Sequence, residues 1–218
     1  MKHRFIVREF SPQQDLKAAC RCFADSFYSS LWPLIDEADE SFIEDILLAL
    51  HKLGDVSLSA EADGETRGLI IGFFTHKAHR KLLKKLKNAY AFLKITIKGL
   101  CDCYRMSSLA RSLMLRWSLG YLPFLFKHPV SESQIIFLGS QEAYRQGIGK
   151  ILVDAWINEM LRHGCSTTIV STDSTLNYKF YERRGFTKVE EFPINSYKLL
   201  MPEKQVKGKI YSFQVSKE

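Results

Sequence analysis

The sequence predicts an α/β fold, and three observations support this prediction. Residues 133–186 read as strand, glycine turn, helix, strand and helix, because the apolar spacing alternates between strand-like runs and helical periodicity. Residues 4–74 read as one strand, two helices and a strand hairpin. The chain has 218 residues, of which 46% are hydrophobic and 12% aromatic, so it can bury a core. We therefore expect a single α/β domain over residues 1–218.

The first predicted strand, Arg4–Phe10, leads into a helix whose start is marked in the sequence. Ser11 can act as the N-cap, Pro12 occupies the first helical position, and Gln14 completes a capping box. The stretch Ser29–Pro33 interrupts the apolar pattern, and its proline disfavours a helix interior. The first helix is therefore predicted to end there.

A second helix and a hairpin follow. Helical periodicity resumes over Glu40–Leu53, and a glycine comes directly after it. Val56–Ala60 and Arg67–Phe74 read as two strands joined through Asp63 and the glycine after it, because Asp-Gly favours tight hairpin turns.

Most of the positive charge lies in a segment of about residues 75–130. Between Lys77 and Lys127 there are twelve basic residues and one acidic residue, a net charge of +11 in a chain whose net charge is +7. We interpret the lysines either as a solvated helix face or as a surface for membrane headgroups or nucleic acid, centred on Lys77–Lys98. Two or three helices are expected, and one has an apolar stripe made of Leu82, Leu83, Leu86, Ala89, Tyr90 and Leu93.

The clearest pattern runs from residue 133 to residue 186. The apolar run Ile135–Leu138 predicts a strand, Thr167–Val170 predicts the next one, and Leu176–Arg184 predicts a helix. Between the two strands, Gly164 ends a longer helix whose pattern is carried by Ile148, Leu152, Ala155, Trp156, Glu159 and Met160.

Three stretches close the chain. Phe186–Phe192 and Tyr197–Met201 read as the two final strands. Val206–Val215 alternates in the same way and is interpreted as an additional edge strand.

The longer helix opens with a glycine turn. Gly147 and Gly149 lack a Cβ, so backbone can approach a ligand there. The free N–H groups and the positive end of the helix dipole favour phosphate oxygens, and Arg145 and Lys150 add full charges. The alternative is a turn that only connects a strand to a helix.

Two common phosphate loops are excluded by spacing. A P-loop would need glycine at Tyr144 and Ser or Thr at Ile151. A dinucleotide fingerprint would need a third glycine at Leu152.

Two stretches of this unit resemble the signature motifs of the GNAT N-acetyltransferase superfamily. They are Gln146-Gly147-Ile148-Gly149-Lys150 and Asn177-x-x-Phe180-Tyr181-Glu182-x-x-Gly185-Phe186. The resemblance implies a mixed, mostly antiparallel sheet flanked by helices, in the order β-α-α-β-β, helical insertion, β-α-β-α-β-β. It also implies acetyl-CoA (coenzyme A) as cosubstrate and no metal.

The resemblance assigns roles by position. The glycine loop would hold the pyrophosphate of acetyl-CoA, the preceding strand backbone would bind the pantetheine arm, and Tyr181 would lie near the thioester sulfur. Tyr144 departs from the family, which usually has Gln or Arg there. The predicted cofactor-binding residues are Phe137, Leu138, Gly139, Arg145, Gln146, Gly147, Ile148, Gly149, Lys150 and Asn177.

The implied reaction needs a proton donor and a proton acceptor. An amine attacks the thioester carbonyl, and Tyr181 is the candidate to donate a hydrogen bond to the leaving thiolate. Its alternative role is that of a core aromatic. For the base that takes the amine proton we favour Glu132, with His128 and Asp173 as alternatives.

We therefore expect an acetyl-CoA-dependent N-acetyltransferase that acts on a primary amine of a small molecule or peptide. One alternative is a non-catalytic CoA or acyl-CoA-binding module of the same fold. The other is a nucleic-acid or membrane binder that uses the basic insertion. In the resembled fold the insertion leaves the sheet toward the acceptor end, so it can also act as a lid. A second copy of the chain, in a homodimer, is a further candidate partner.

Composition bears on the compartment. The N-terminus lacks the apolar core of a signal peptide, and no apolar run approaches about 20 residues, so a cytoplasmic protein is expected. Five cysteines, an odd number, indicate free thiols, and neither Cys-x-Cys pair has the spacing of a zinc module.

Overall fold

In the part of the chain that the computed structural model describes, seven strands form the frame of the protein. The structure describes residues 4–37, 39–75, 86, 90–91, 93–120, 131–194 and 205–215. The strands are Ile6–Glu9 (β1), Val56–Ala62 (β2), Glu65–Phe74 (β3), Ser133–Ser140 (β4), Thr167–Asp173 (β5), Thr187–Pro193 (β6) and Lys207–Gln214 (β7). They form one sheet in the order β1-β2-β3-β4-β5-β7-β6.

Helices cover both faces of this sheet. Their bounds are Pro12–Glu37 (α1), Glu40–Leu53 (α2), residues 93–100 (α3), Ser108–Gly120 (α4), Arg145–Arg162 (α5) and Lys179–Arg183 (α6). Buried side chains of α1, α2 and α4 pack on one face, and those of α5 and α6 pack on the other. The predicted mixed, mostly antiparallel sheet flanked by helices is therefore confirmed.

One pair of strands is parallel, and it is short. β4 and β5 pair only through Ser133–Ile135 and Thr168–Val170. Beyond these residues the two strands diverge. The register between β3 and β4 also shifts at this point, because Ile71 pairs with Phe137 while the next residue pairs with Ile135. A bulge at Ile136 and the divergence of β5 therefore coincide.

Close packing holds α5 on the sheet. The Trp156 ring lies so near β3 that a Cβ at Gly72 would fall 2.4 Å from its Cη2 atom. The indole N–H also donates to Thr168 Oγ1 at 3.1 Å. Glycine at this position is required by the approach of the ring, because a larger side chain would displace the helix.

The second helix and the hairpin are confirmed. α2 spans Glu40–Leu53, and its N-cap Asp39 accepts a hydrogen bond from the Ser41 N–H. The turn between β2 and β3 has positive φ at Asp63 (55°) and Gly64 (77°), the backbone that an Asp-Gly hairpin turn adopts.

The first helix differs from its prediction in two ways. α1 continues through Pro33 to Glu37, so the predicted break at Ser29–Pro33 is wrong. Packing of α1 against α2 and the sheet outweighs the one backbone hydrogen bond that a proline removes. The capping partner also differs, because the Ser11 N–H donates to the carboxylate of Asp15 at 2.8 Å and not to Gln14.

The C-terminal strand lies inside the sheet. β7 pairs with β5 on one side and with β6 on the other, so the predicted edge strand at Val206–Val215 is an interior strand. Buried Ile210 and Tyr211 lie in its centre. The predicted strand Tyr197–Met201 lies outside the described residues.

The insertion contains helices, and the members of its apolar stripe that the structure describes are exposed. Leu86, Tyr90 and Leu93 are 58%, 69% and 56% exposed. α3 buries a different face, through Ile95 and Thr96. Leu82, Leu83, Ala89 and His128 lie outside the described residues.

A buried carboxylate joins β1, α1 and β3. Asp15 accepts two hydrogen bonds from the Arg8 guanidinium at 2.7 and 2.8 Å, one from the Ser11 N–H and one from Thr66 Oγ1 at 2.9 Å. Burial raises the pKa of Asp15, but the hydrogen bonds from Arg8, Ser11 and Thr66 together outweigh it, so the pKa lies below its usual value.

This network predicts an acid-sensitive contribution to stability. Asp15→Asn should lower the free energy of unfolding by about 3 kcal/mol at pH 7, because it leaves Arg8 without its buried partner. Since the folded-state pKa is depressed, the contribution is present above the unfolded-state value of about 4 and is lost as the pH falls further. Urea unfolding at pH 7 and at pH 3 measures the loss of stability in Asp15→Asn and its decrease in acid. The exposed Asp102→Asn is the control, and an Asp15→Asn deficit that does not shrink in acid would contradict the assignment.

Candidate functional site

A cleft opens where β4 and β5 diverge. Its volume is about 640 Å³. Its walls are residues 25–28 of α1, 136–140 of β4, 170–172 of β5 and 175–177 of the following loop. Its remaining lining residues are Glu142, Arg145, Gly149, Phe180 and Tyr181. The divergence of two neighbouring strands thus creates a groove that exposes strand backbone.

The β4 register shows which backbone groups face this cleft. The Gln141 N–H donates to the Arg67 carbonyl of the neighbouring strand at 2.9 Å. Successive residues of an antiparallel strand direct their backbone N–H and C=O groups to opposite sides, so those of Gly139 and Phe137 also face β3. The N–H and C=O groups of Leu138 face the opposite side, toward the diverged β5. Of the three predicted strand residues, Leu138 therefore offers its N–H and C=O to a ligand.

The backbone N–H and C=O of Ser140, the last cleft-facing residue of β4, are hydrogen-bonded to a side chain of α1. Ser26 Oγ accepts from the Ser140 N–H at 2.9 Å and donates to the Ser140 carbonyl at 3.2 Å. A Cβ at Gly139 would lie 3.1 Å from both Ser26 Oγ and the Cys22 carbonyl oxygen, so glycine lets α1 approach β4 here. The sequence does not predict this docking of α1, because a serine in a helix carries no distinguishing pattern.

The glycine turn has the backbone of an interrupted helix. Gln146 (φ −74°, ψ 97°) and Gly147 (φ 96°, ψ −25°) depart from helical geometry inside α5. They lie in the first turn, where N–H groups have no intrahelical acceptor, and both are exposed. Ile148 is fully buried and fixes the turn to the core. The turn can therefore present two N–H donors and the positive end of α5 to an anion.

The second glycine serves packing. A Cβ at Gly149 would lie 3.2 Å from the Phe180 ring, so the start of α5 contacts α6 directly. Gly149 and Phe180 both line the cleft, as does the exposed Asn177. The two signature stretches are thus brought together in space.

Arg145 lines the cleft while its guanidinium contacts protein groups. Nη2 donates to the Asp25 carbonyl at 2.5 Å, and Nη1 lies 3.4 Å from Glu142 Oε1. Asp25 Oδ2 also accepts from the Glu142 N–H at 2.8 Å. Lys150 is exposed and does not line the cleft.

Tyr181 is buried at the inner wall of the cleft. Its ring lies 5.6 Å from that of Phe186 and 6.1 Å from that of Tyr211, measured between centroids. Within the described part of the chain, its hydroxyl has no hydrogen-bond partner. Burial raises the pKa of Tyr181, so the hydroxyl keeps its proton at neutral pH. The arrangement supplies a protonated donor at the cleft wall.

Glu132 lies elsewhere. Its Oε2 accepts hydrogen bonds from the Ser166 N–H at 2.5 Å, from Ser166 Oγ at 3.0 Å and from the Thr167 N–H at 3.1 Å. It therefore joins the starts of β4 and β5, at the paired end and away from the cleft. The hydrogen bonds from Ser166 and Thr167 lower its pKa, which makes it a weaker base. The structure does not bring Glu132 together with Tyr181.

The described residues offer neither a metal cluster nor a membrane span. In the part of the chain that the structure describes, no group of three or more His, Cys, Asp or Glu side chains is placed to hold a metal ion. No helix within that same part is long and apolar enough to cross a membrane.

Known proteins give matches at the level of family and fold. Residues 119–186 match the profile of the acetyltransferase (GNAT) family. No curated protein matches the sequence. An N-acetyltransferase from Staphylococcus aureus Mu50 superposes with a TM-score of 0.57 at 11% identity, over 98% of this chain and 99% of that chain.

Two further structures share the fold. A polyamine N-acetyltransferase from Drosophila melanogaster, which forms N-acetylagmatine, has a TM-score of 0.54 at 13% identity, over 97% of this chain and 100% of its own. The ribosomal-protein-S18-alanine N-acetyltransferase from Escherichia coli has a TM-score of 0.51 at 12% identity, over 99% and 96%. At these identities the likeness shows a common fold.

Proposed function

We propose that this chain is an acetyl-CoA-dependent N-acetyltransferase of the GNAT superfamily, a proposal supported by its fold and by the family match over residues 119–186. Its acceptor is a primary amine of a small molecule or peptide. One observation carries this proposal: Gly149 at the start of α5, the open strand backbone at Leu138 and the buried Tyr181 all line the cleft between β4 and β5.

The cofactor would bind along this cleft. The N–H groups of Gln146 and Gly147 are proposed to hold its diphosphate, in the way that helix N-termini bind anions. The amide arm would then run along β4 and exchange hydrogen bonds with the N–H and C=O of Leu138. The thioester would then lie near Tyr181 at the inner wall. Arg145 can add charge to the diphosphate by leaving the Asp25 carbonyl.

Chemistry at the thioester follows from the protonation states. An alkyl ammonium with pKa about 10.4 must lose a proton before attack, which costs roughly 4.6 kcal/mol at pH 7. The carboxylates among the described cleft residues are Asp25 and Glu142, and both belong to the glycine-turn end. We therefore propose water as the immediate proton acceptor. The leaving thiolate, with pKa of about 8.5, accepts a hydrogen bond from Tyr181.

The acceptor class rests on the fold relatives and on the reaction. Two of them are named for a small amine and for a protein alanine, and both substrates are primary amines. The shared reaction is attack of a neutral amine on a thioester. We propose the same reaction for this chain.

Binding of the cofactor is tested by thermal stability. A ligand at about a hundred times its Kd stabilises the native state by about 2.7 kcal/mol, which for a chain of this size raises Tm by roughly 5–10 °C. Saturating acetyl-CoA should produce such a shift, and ATP at the same concentration controls for a general anion effect. Release of CoA with a panel of primary amines then tests turnover. Equal shifts with both nucleotides, or no shift with either, would exclude the proposed cofactor.

A further inference from the structure

Tyr144, the residue directly before α5, is held against the β2–β3 hairpin. Its ring centroid lies 4.7 Å from Cζ of Arg67, so the guanidinium stacks on the ring. Its hydroxyl donates to Asp63 Oδ2 at 3.1 Å, in the turn between β2 and β3. Both ends of the Tyr144 side chain therefore contact one hairpin.

Arg67 is itself fixed in place. Its Nη1 donates to Gln141 Oε1 at 3.0 Å and lies 3.0 Å from Glu65 Oε2, and its side chain is 15% exposed. Gln141 is buried and returns two hydrogen bonds, from its N–H to the Arg67 carbonyl and from Nε2 to the Thr66 carbonyl at 3.2 Å. The Arg67 guanidinium is thus held in a fixed orientation against the Tyr144 ring.

The glycine turn begins two residues after Tyr144 and rests on the same strand. A Cβ at Gly68 would lie 2.8 Å from Ile148 Cδ1, so β3 touches the first turn of α5. Tyr144 on one side and Ile148 on the other therefore anchor the turn that contains Gln146 and Gly147. A shift at Tyr144 would rotate the intervening peptide units, because the Ile148 end is fixed by burial.

We propose that Tyr144 and Arg67 are positioning residues for the cofactor, an inference that rests on the proposed function. The Tyr144 ring lies on the Arg67 guanidinium, and its hydroxyl donates a hydrogen bond to Asp63 Oδ2. The stack fixes the orientation of the exposed Gln146–Gly147 turn and its N–H groups. Anion recognition by this turn therefore depends on a cation–π contact with the β2–β3 hairpin.

Two substitutions of Tyr144 separate the ring from the hydroxyl. Tyr144→Leu removes both contacts and should weaken CoA binding roughly tenfold, as measured by calorimetry, because the loss of a cation–π pair leaves the turn free to reorient. Tyr144→Phe keeps the stack and should change Kd by less than about threefold. An equal loss in both variants would overturn the role of the stack.

Arg67→Met supplies the reciprocal test. It removes the charge but keeps an unbranched side chain, and it should weaken CoA binding as much as Tyr144→Leu does. Arg67→Met combined with Tyr144→Leu should bind CoA no worse than either single variant, because both remove the same contact. Fully additive losses would mean that the two residues act independently, which overturns the proposal.

A control variant and a ligand-free measurement complete the design. Ser57→Ala removes a buried hydroxyl that contacts His51 Nδ1 at 2.9 Å, so it should lower Tm without changing CoA affinity. In the free protein, Tyr144→Leu should speed amide hydrogen exchange at residues 151–153, the first amides after the turn that have intrahelical acceptors, by about tenfold or more, and Ser57→Ala should not.

The outcomes distinguish this inference from the proposed function. If the wild type binds no CoA, the proposed function fails and the exchange data alone decide whether Tyr144 holds the turn. If the wild type binds CoA while Tyr144→Leu has unchanged affinity and unchanged exchange, the positioning role is overturned and the proposed function stands.

Discussion

Gly147→Val is expected to weaken the binding of CoA about a hundredfold. The φ of 96° at Gly147 is a conformation that a β-branched residue can hold only with strain, so the turn would rotate to a negative φ. That rotation would redirect the N–H groups of Gln146 and Gly147. Two hydrogen bonds to a charged ligand at about 1.5 kcal/mol each correspond to this loss. Calorimetry with CoA measures it.

The same helix offers a matched control. Gly164, just beyond the C-terminal end of α5, has φ of 71° and, like Gly147, has open space where a Cβ would lie. Gly164→Val should therefore lower Tm by a similar amount and leave the CoA affinity unchanged. If both variants weaken CoA binding equally, the effect is general destabilisation and the turn is not the diphosphate site.

Tyr181→Phe is expected to lower kcat roughly a hundredfold while changing the Kd for CoA by less than about twofold. The phenylalanine keeps the ring contacts with Phe186 and Tyr211 but cannot donate a hydrogen bond to the departing thiolate. A donor that acts mainly in the transition state affects turnover more than binding. Initial rates of CoA release at saturating acetyl-CoA, with an amine accepted by the wild type, measure kcat.

Tyr211→Phe is the control for this change. Tyr211 stacks beside Tyr181, but its hydroxyl donates to Glu182 Oε1 at 2.7 Å and it does not line the cleft. Its removal should cost stability with little effect on kcat. A Tyr181→Phe enzyme as fast as the wild type would remove this hydroxyl from the mechanism.

The elements that sequence alone predicts well are those with local signals. The Asp63-Gly64 turn, the end of α2 at Gly54 and the glycine turn before Ile148 all depend on neighbouring residues. Backbone preferences of a few adjacent residues determine such features, so a single sequence suffices.

Features that depend on distant contacts are predicted less well. α1 passes through Pro33 because it packs against other elements, and β7 lies between β5 and β6 because of sheet pairing. Periodicity indicates that the Leu86–Leu93 stripe is one face of a helix, but it carries no information on whether another element covers that face. The long-range arrangement decides each of these cases.

The candidate site divides in the same way. Motif spacing predicts that Gly147, Gly149 and Tyr181 lie together; Gly149 and Tyr181 line the cleft, while Gly147 is exposed in the first turn of α5. Only the β4 register distinguishes Leu138 from its neighbours. The position of Glu132 before β4 favours it as base, but contacts with Ser166 and Thr167, which are distant in sequence, occupy its carboxylate.

The short contact between β4 and β5 has a mechanical consequence. Among the described residues, three β-sheet pairs join the strands β1 to β4 with the strands β5 to β7, fewer than join any other two neighbouring strands. A ligand bound in the groove would form hydrogen bonds with both β4 and β5 and so act as an additional strand between them. Its binding would couple the β1–β4 and β5–β7 parts of the sheet into one cooperative unit, so ligand binding would increase the rigidity of the whole sheet.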